Sequence, residues 1–180
     1  IAGKTVRDVH HDTELTTSGI IKRSSNVGAV KLGLRVGRDR LYDAFRRFGF
    51  AAETGIELPG EQTGVMRPGS RWRDIELVTM SYGYGLNVSL LQLARAYTLF
   101  TNNGQLLPVT FQKRSDMTNA SLPIGRQVIK PETAELMSAM LETVTQPGGT
   151  ATKGQVPGYR MAGKTGTARK LVNGRYVDDQ

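Results

Sequence analysis

Cysteine is absent from this chain of 180 residues, tryptophan occurs once and histidine only twice. Without cysteine the protein has no disulfide, no thiolate nucleophile and no thiolate metal site. His10 and His11 have no partner at the spacing of a metal site or a catalytic triad, so we expect them at the surface. No run approaches the ~18 apolar residues of a membrane-spanning helix, and no charged start leads into a signal-peptide segment.

What the chain does contain is typical of a packed globular domain. Hydrophobic residues make up 38% and charged residues 22% of the sequence, which excludes a disordered or fibrous protein. The length allows one domain with a sizeable core, or a large piece of a bigger one. No internal repeat and no dividing linker is visible.

The formal net charge is +8. Five basic residues, here called the arginine cluster, lie close together in the sequence: Arg35, Arg38, Arg40, Arg46 and Arg47. They form either a solvated helix face or a surface that attracts an acidic partner such as nucleic acid, anionic lipid or a cell-wall polymer. Because no nucleic-acid-binding motif accompanies them, we expect no nucleic acid partner.

Cap and periodicity signals predict four helices in the first two thirds of the chain. One follows a hydroxyl cap at Thr16, a second follows Asn26 and ends at Gly37, and a third ends at Gly49. The fourth begins at Ser89, which has capping-box spacing to Gln92. Its apolar positions are Leu90, Leu93, Ala94, Tyr97 and Phe100.

The remaining segments have weaker signals. A helix with Pro131 in its first turn places Leu136, Met140, Leu141 and Val144 on one side. Residues 1–15 suggest a short strand or hairpin arm, and 51–73 an irregular connection that packs Trp72 against the body. The Asn173-Gly174 pair predicts a hairpin, so residues around 160–172 should form a strand.

The stretch GYRMAGKTGTARK, residues 158–170, matches two incompatible motifs. From Gly158 it spells G-x-x-x-x-G-K-T, a phosphate-binding loop, which requires a buried strand before it and a helix directly after it. Neither flank fits, because a glycine-rich connector precedes the stretch and a strand-like segment follows it. From Lys164 it spells K-T-G, in which lysine attracts a carboxylate, threonine donates a hydroxyl and glycine leaves room for substrate backbone.

Two further motifs accompany K-T-G, namely SSN at 24–26 and SYGYG at 81–85. The segments IKRSSNVGAVKLG, SYGYGLNVSLLQLARAYTLFTNNG and AGKTGTARK, in this order, closely resemble the transpeptidase domain of class B penicillin-binding proteins, specifically the septal peptidoglycan D,D-transpeptidases of cell division. The resemblance covers essentially the whole chain. It implies an α+β fold, an antiparallel sheet flanked by helices, as in the penicillin-binding proteins and serine β-lactamases.

The resemblance also implies roles for individual residues. Ser24 matches the S-x-N serine that relays a proton to the leaving group, and Asn26 the asparagine that positions the catalytic lysine. The alternative is that Ser24 and Asn26 only cap the helix that starts at Val27. The resemblance further implies that the residues that contact the substrate or a β-lactam are Lys164, Thr165, Gly166, Thr167 through its N–H, Arg169 and Tyr84.

One motif of the family is missing. No serine among the 180 residues has a lysine three positions later, so the S-x-x-K nucleophile is absent. We therefore expect residues 1–180 to be an internal fragment of one transpeptidase domain, incomplete at both ends and inactive alone. Rival interpretations are a D,D-carboxypeptidase or β-lactamase-like hydrolase, and an inactive penicillin-recognising sensor.

For the parent protein the resemblance implies a serine acyltransferase that needs no metal or other cofactor. Its expected partners are peptidoglycan stem peptides, β-lactams and cell-division proteins. Its expected location is the periplasmic face of the inner membrane, held there by an anchor outside these residues.

Overall fold

The computed structural model describes residue 3, residues 5–113 and 124–166, and the backbone of two strands near the end of the chain. These parts contain six α-helices: α1 Thr17–Arg23, α2 Asn26–Val36, α3 Arg38–Arg47, α4 Asp74–Met80, α5 Leu90–Thr98 and α6 Pro131–Glu142. Four strands form two antiparallel pairs, β1 Gln105–Leu106 with β2 Arg126–Gln127, and β3 Arg169–Val172 with β4 Arg175–Asp178. No helix in the described ranges is long and apolar enough to cross a bilayer.

Most predicted helix boundaries are confirmed by local hydrogen bonds. Thr16 accepts a bond from the N–H of Gly19 at 3.1 Å, and Gly37 ends α2 with a φ of 83° that favours glycine. The capping box of α5 is present, with Ser89 and Gln92 bonded to each other's backbone N–H. Pro131 occupies the first turn of α6, where its missing N–H costs nothing.

The apolar core has two centres. Trp72, only 1% exposed, packs with Leu77 and Met80 against the aromatic face of α3, and its ring meets Tyr42 edge-on at 5.9 Å between centroids. This confirms that the irregular 51–73 connection folds back on the body. The second centre consists of Leu99, Leu106 and Val128.

The arginine cluster is neither a wholly solvated face nor a free basic patch. Three of its members donate to backbone carbonyls: Arg38 to Trp72 at 2.6 Å, Arg46 to Phe50 at 3.2 Å, and Arg47 to Val128. Arg35 and Arg40 are exposed. Much of this positive charge therefore stabilises the packing of α3, because loop carbonyls that lack a backbone donor still need a hydrogen bond.

Most of the apolar positions of α5 lie outside its buried face. Leu90 is 83%, Leu93 40% and Tyr97 38% exposed, and Ala94 is exposed as well. Instead Gln92, Ala96 and Leu99 face the core, and Gln92 donates to Ala52 O at 2.7 Å and Thr63 O at 2.9 Å. The irregular connection packs on this side of the helix and its carbonyls require a donor, so an amide is buried in place of leucine.

Three further predictions are corrected. Leu136 of α6 is 60% exposed, whereas Leu141 and Val144 are buried as expected. The described part of residues 1–15 contains no strand. Residues 160–166 are also irregular, and the strand begins only at Arg169. β3 and β4 pair antiparallel with Val172 opposite Arg175, which confirms the hairpin, although Asn173 and Gly174 lie outside the described residues.

Candidate functional site

Ser24 occupies the sharp junction between α1 and α2. It ends α1 in the left-handed conformation, with φ 55° and ψ 45°, and its N–H bonds Ile21 O at 3.2 Å. Few residues other than glycine adopt this conformation, and it occurs often at functional sites. The chain can thereby begin a new helix with only two residues between it and the last one.

Ser25, between the two predicted residues, provides the helix cap. Its hydroxyl accepts a bond from the N–H of Gly28 at 2.8 Å, and α2 begins at Asn26. The interpretation of Ser24 and Asn26 as caps of this helix is therefore wrong. Asn26 instead donates its side-chain amide to Arg7 O at 3.4 Å.

The segment that carries Lys164 is attached to the C-terminal end of α6. The N–H of Gly163 bonds Leu141 O at 3.2 Å, and Thr145 donates its hydroxyl to Met161 O at 2.8 Å. These bonds occupy backbone groups that the predicted strand would have given to a neighbouring strand, which explains its irregular course. A two-bond ion pair adds to the attachment, since Arg160 meets Glu142 at 2.9 and 2.6 Å and lowers the pKa of that carboxyl.

Lys164 and Ser24 meet although 140 positions separate them in the sequence. The Nζ of Lys164 donates to Ser24 Oγ at 2.7 Å, and it also lies 3.1 Å from Thr165 O and 3.3 Å from Thr165 Oγ1. The packing of α1 against α6 brings the two segments together. An ammonium and a hydroxyl in direct contact can pass a proton and can together bind an anionic group.

Thr150 is a member of the site that the sequence did not indicate. Its hydroxyl lies 2.8 Å from that of Thr165, and both residues are exposed. No motif links the two positions, because Thr150 belongs to the glycine-rich connector. Beside them, a side chain at Gly166 would meet none of the described residues within 4 Å, which leaves room there for a ligand.

Partial burial lowers the pKa of the Lys164 ammonium. The residue keeps an exposed surface, but its Nζ is enclosed by Ser24 and Thr165, and loss of water disfavours the charged form. The lysine therefore loses its proton at lower pH than a lysine in water.

This shift predicts the alkaline pH dependence of any reaction that needs the Lys164 charge. Burial favours the neutral amine, so binding of a substrate carboxylate should weaken as pH rises through the lowered pKa. Lys164→Arg keeps its charge and should remove that decline. The measurement is the rate at which penicillin, a ligand that the family resemblance implies, acylates the full-length protein from about pH 6 to about pH 10, a range that includes perturbed lysines. An unchanged decline in the arginine variant would assign it to another group.

Three further residues are assigned to the site from the sequence: Thr167, Arg169 and Tyr84. Thr167 lies outside the described residues, and Arg169 is described only as the first residue of β3. Tyr84 lies in the turn after α4, where its N–H bonds Thr79 O at 3.0 Å and its ring meets Tyr82 at 5.7 Å. Their roles stay predictions. His10 and His11 are exposed, as expected.

The phosphate-loop interpretation is excluded by the backbone. Lys164, Thr165 and Gly166 are not helical, and the next described element is strand β3. A phosphate loop needs the free N–H groups of a helix that starts at this position.

Comparison with known proteins identifies the class to which this chain and its fold belong. The family model described as "Penicillin binding protein transpeptidase domain" matches residues 2–180. The probable peptidoglycan D,D-transpeptidase PenA of Neisseria meningitidis is 47% identical over 175 residues, 97% of this chain and 29% of that protein. The peptidoglycan D,D-transpeptidase FtsI of Escherichia coli is 39% identical over 99% of this chain and 30% of that protein.

A solved structure gives the same answer for the fold. The transpeptidase domain of Burkholderia pseudomallei penicillin-binding protein 3 superposes with a TM-score of 0.89 and 42% identity, over 94% of this chain and 50% of that one. The chain belongs to the penicillin-binding protein transpeptidase domain family, and the predicted fold class is confirmed. It spans 29–30% of the length of these two curated relatives.

Proposed function

We propose that these 180 residues are an internal part of a serine D,D-transpeptidase that cross-links peptidoglycan stem peptides during septal cell-wall synthesis. The observation that carries the proposal is the 2.7 Å contact between Lys164 and Ser24. It joins two sequence motifs across 140 positions, which supports acyl transfer between a carboxylate-bearing peptide and a serine.

The reaction has two steps. A nucleophilic serine, assigned to an S-x-x-K motif outside these residues, attacks the carbonyl of the penultimate D-alanine and expels the terminal D-alanine. An amine of a neighbouring strand then takes the acyl group and regenerates the serine. A β-lactam would acylate the same serine, and the resulting acyl-serine bond would break only slowly.

The residues of this chain form one wall of that cleft. Lys164 and Thr165 receive the terminal carboxylate, and Ser24 passes a proton toward the departing amine. Asn26 orients the substrate amide and the catalytic lysine. The N–H of Thr167 supplies one donor of the oxyanion hole, and Gly166 leaves room for the peptide. Arg169 and Tyr84 contribute to the rim, and the chemistry asks for no cofactor.

Location and partners follow from the same proposal. Stem peptides lie outside the cytoplasm, so the enzyme acts at the periplasmic face of the inner membrane and is held there by a segment outside these residues. Cell-division proteins are its proposed protein partners. The internal use of the arginine cluster gives no support to a nucleic acid partner.

Labelling of the full-length protein with a fluorescent penicillin tests the proposal. A transpeptidase should form a covalent adduct that persists, and it should release D-alanine while joining two stem peptides. A β-lactamase-like hydrolase would destroy the label rapidly, and a carboxypeptidase would release D-alanine without forming dimers. The absence of any adduct would favour an inactive sensor and overturn the proposal.

A further inference from the structure

We propose that Asp8 is a positioning residue for acyl transfer, which holds the turn Ser24–Asn26, here called the serine turn, in the shape that presents Ser24 to Lys164. The inference rests on the proposed function and adds a residue that belongs to none of the motifs. Asp8 lies 17 positions before Ser25, in a part of the chain that forms no helix or strand.

Both oxygens of the Asp8 carboxylate are bonded to the start of α2. Oδ2 accepts a hydrogen bond from the hydroxyl of Ser25 at 2.6 Å, and Oδ1 accepts one from the N–H of Val27 at 2.9 Å. Bonds from hydroxyl to carboxylate at this distance are charge-assisted and strong. The positive end of the α2 dipole adds to the attraction. Asp8 thus fixes the residues that directly follow Ser24.

The bond from Ser25 to Asp8 fixes the orientation of the helix cap. Ser25 Oγ donates a hydrogen bond to Asp8 and accepts one from the N–H of Gly28 at 2.8 Å. The hydroxyl of a serine cap can normally rotate, whereas here the bond to Asp8 fixes the direction in which the O–H points. The side chain of Ser25 is buried, so this chain of bonds is shielded from competing water.

The serine turn needs such support because Ser24 has a backbone conformation that serine rarely adopts. Strained residues persist only where the surroundings determine them from several sides. Asn26 is bonded to the carbonyl of Arg7, the neighbour of Asp8, at 3.4 Å. On the other side, Arg23 lies 3.3 Å from Asp12 and 3.5 Å from Gly148 O. Residues 7–12 therefore hold the chain on both sides of Ser24, through bonds to Arg23, Ser25 and Asn26.

A purely structural role for Asp8 would be to stabilise the start of α2. That role predicts lower stability and unchanged chemistry in the molecules that stay folded. A positioning role predicts slower acylation, because a displacement of a catalytic group by about 1 Å can cost about 100-fold in rate. The acylation rate constant at saturating penicillin separates the two, and the half-saturating concentration reports carboxylate binding by Lys164.

The experiment uses the full-length protein with a fluorescent penicillin. Asp8→Ala should lower the acylation rate constant about 10- to 100-fold and change the half-saturating concentration no more than about twofold. Asp8→Asn keeps one oxygen that can accept the Val27 N–H, so it should recover part of the rate. Ser25→Ala should resemble Asp8→Ala, since it removes the group through which Asp8 acts.

Ser89→Ala is the matched control. Ser89 caps α5 as Ser25 caps α2, so both substitutions should lower the melting temperature by a few degrees. Only Ser25→Ala should slow acylation.

Each outcome has a separate meaning. An unchanged rate constant in Asp8→Ala, with a lower melting temperature, would overturn the positioning role and leave a structural one. If Asp8→Ala does not fold, unchanged rates in Asp8→Asn and Ser25→Ala would overturn it equally. Failure of the wild-type protein to form an adduct would refute the proposed function itself, and with it the role of Asp8.

Discussion

Replacement of Lys164 by methionine should lower the second-order rate constant for penicillin acylation about 100- to 1,000-fold. Methionine keeps most of the apolar length of lysine but removes the ammonium that lies 2.7 Å from Ser24 Oγ. The proposed charge pair is the Lys164 ammonium with the ligand carboxylate. Loss of one partner of such a close pair costs about 2–5 kcal/mol, and each 1.4 kcal/mol is about a factor of ten in rate. The ammonium is proposed to bind the ligand carboxylate as well as Ser24, so both binding and reaction should suffer.

A penicillin ester makes this test specific for the carboxylate. If Lys164 binds that group, esterification should weaken acylation of the wild-type protein strongly and acylation of Lys164→Met only slightly, because the interaction is already lost. Lys153→Met serves as the control, since Lys153 is an exposed lysine of the nearby connector. Equal effects of esterification on both proteins would contradict carboxylate binding by Lys164.

The extent to which sequence predicted this site depends on the range of each interaction. Ser24 and Lys164 belong to short motifs, and the family resemblance alone implies that both lie in one cleft. Thr150 and Asp8 have no motif. Their partners, Thr165 and Ser25, lie elsewhere in the chain, and only the packing of separate segments creates the contact.

The same distinction explains which parts of the fold were predicted correctly. The caps at Thr16 and Ser89 and the Pro131 start of α6 depend on neighbours within one helical turn, and all three are confirmed. The orientation of α5 depends on what packs against it. Apolar periodicity favoured Leu90 for the core, whereas the carbonyls of the irregular connection required Gln92 there.

Replacement of Ser24 by glycine should raise stability and abolish most activity. A left-handed conformation costs an L-residue about 1–2 kcal/mol that glycine does not pay, and Ser24 has a φ of 55°. Removal of its hydroxyl takes away a proton relay, and such groups contribute about 10²- to 10⁴-fold to rate. In the full-length protein the melting temperature should therefore rise while the acylation rate constant falls.

Two further variants separate strain from chemistry. Ser24→Ala also lacks the hydroxyl but keeps a Cβ, so it should be as slow as Ser24→Gly without the gain in melting temperature. Ala51 has the same φ of 55° in the irregular connection, and Ala51→Gly should raise the melting temperature while acylation stays at the wild-type rate. Near-wild-type acylation by Ser24→Gly would remove Ser24 from the proton path. If Ser24→Gly is slow but no more stable than Ser24→Ala, the hydroxyl is needed, and the left-handed turn carries no strain that glycine relieves.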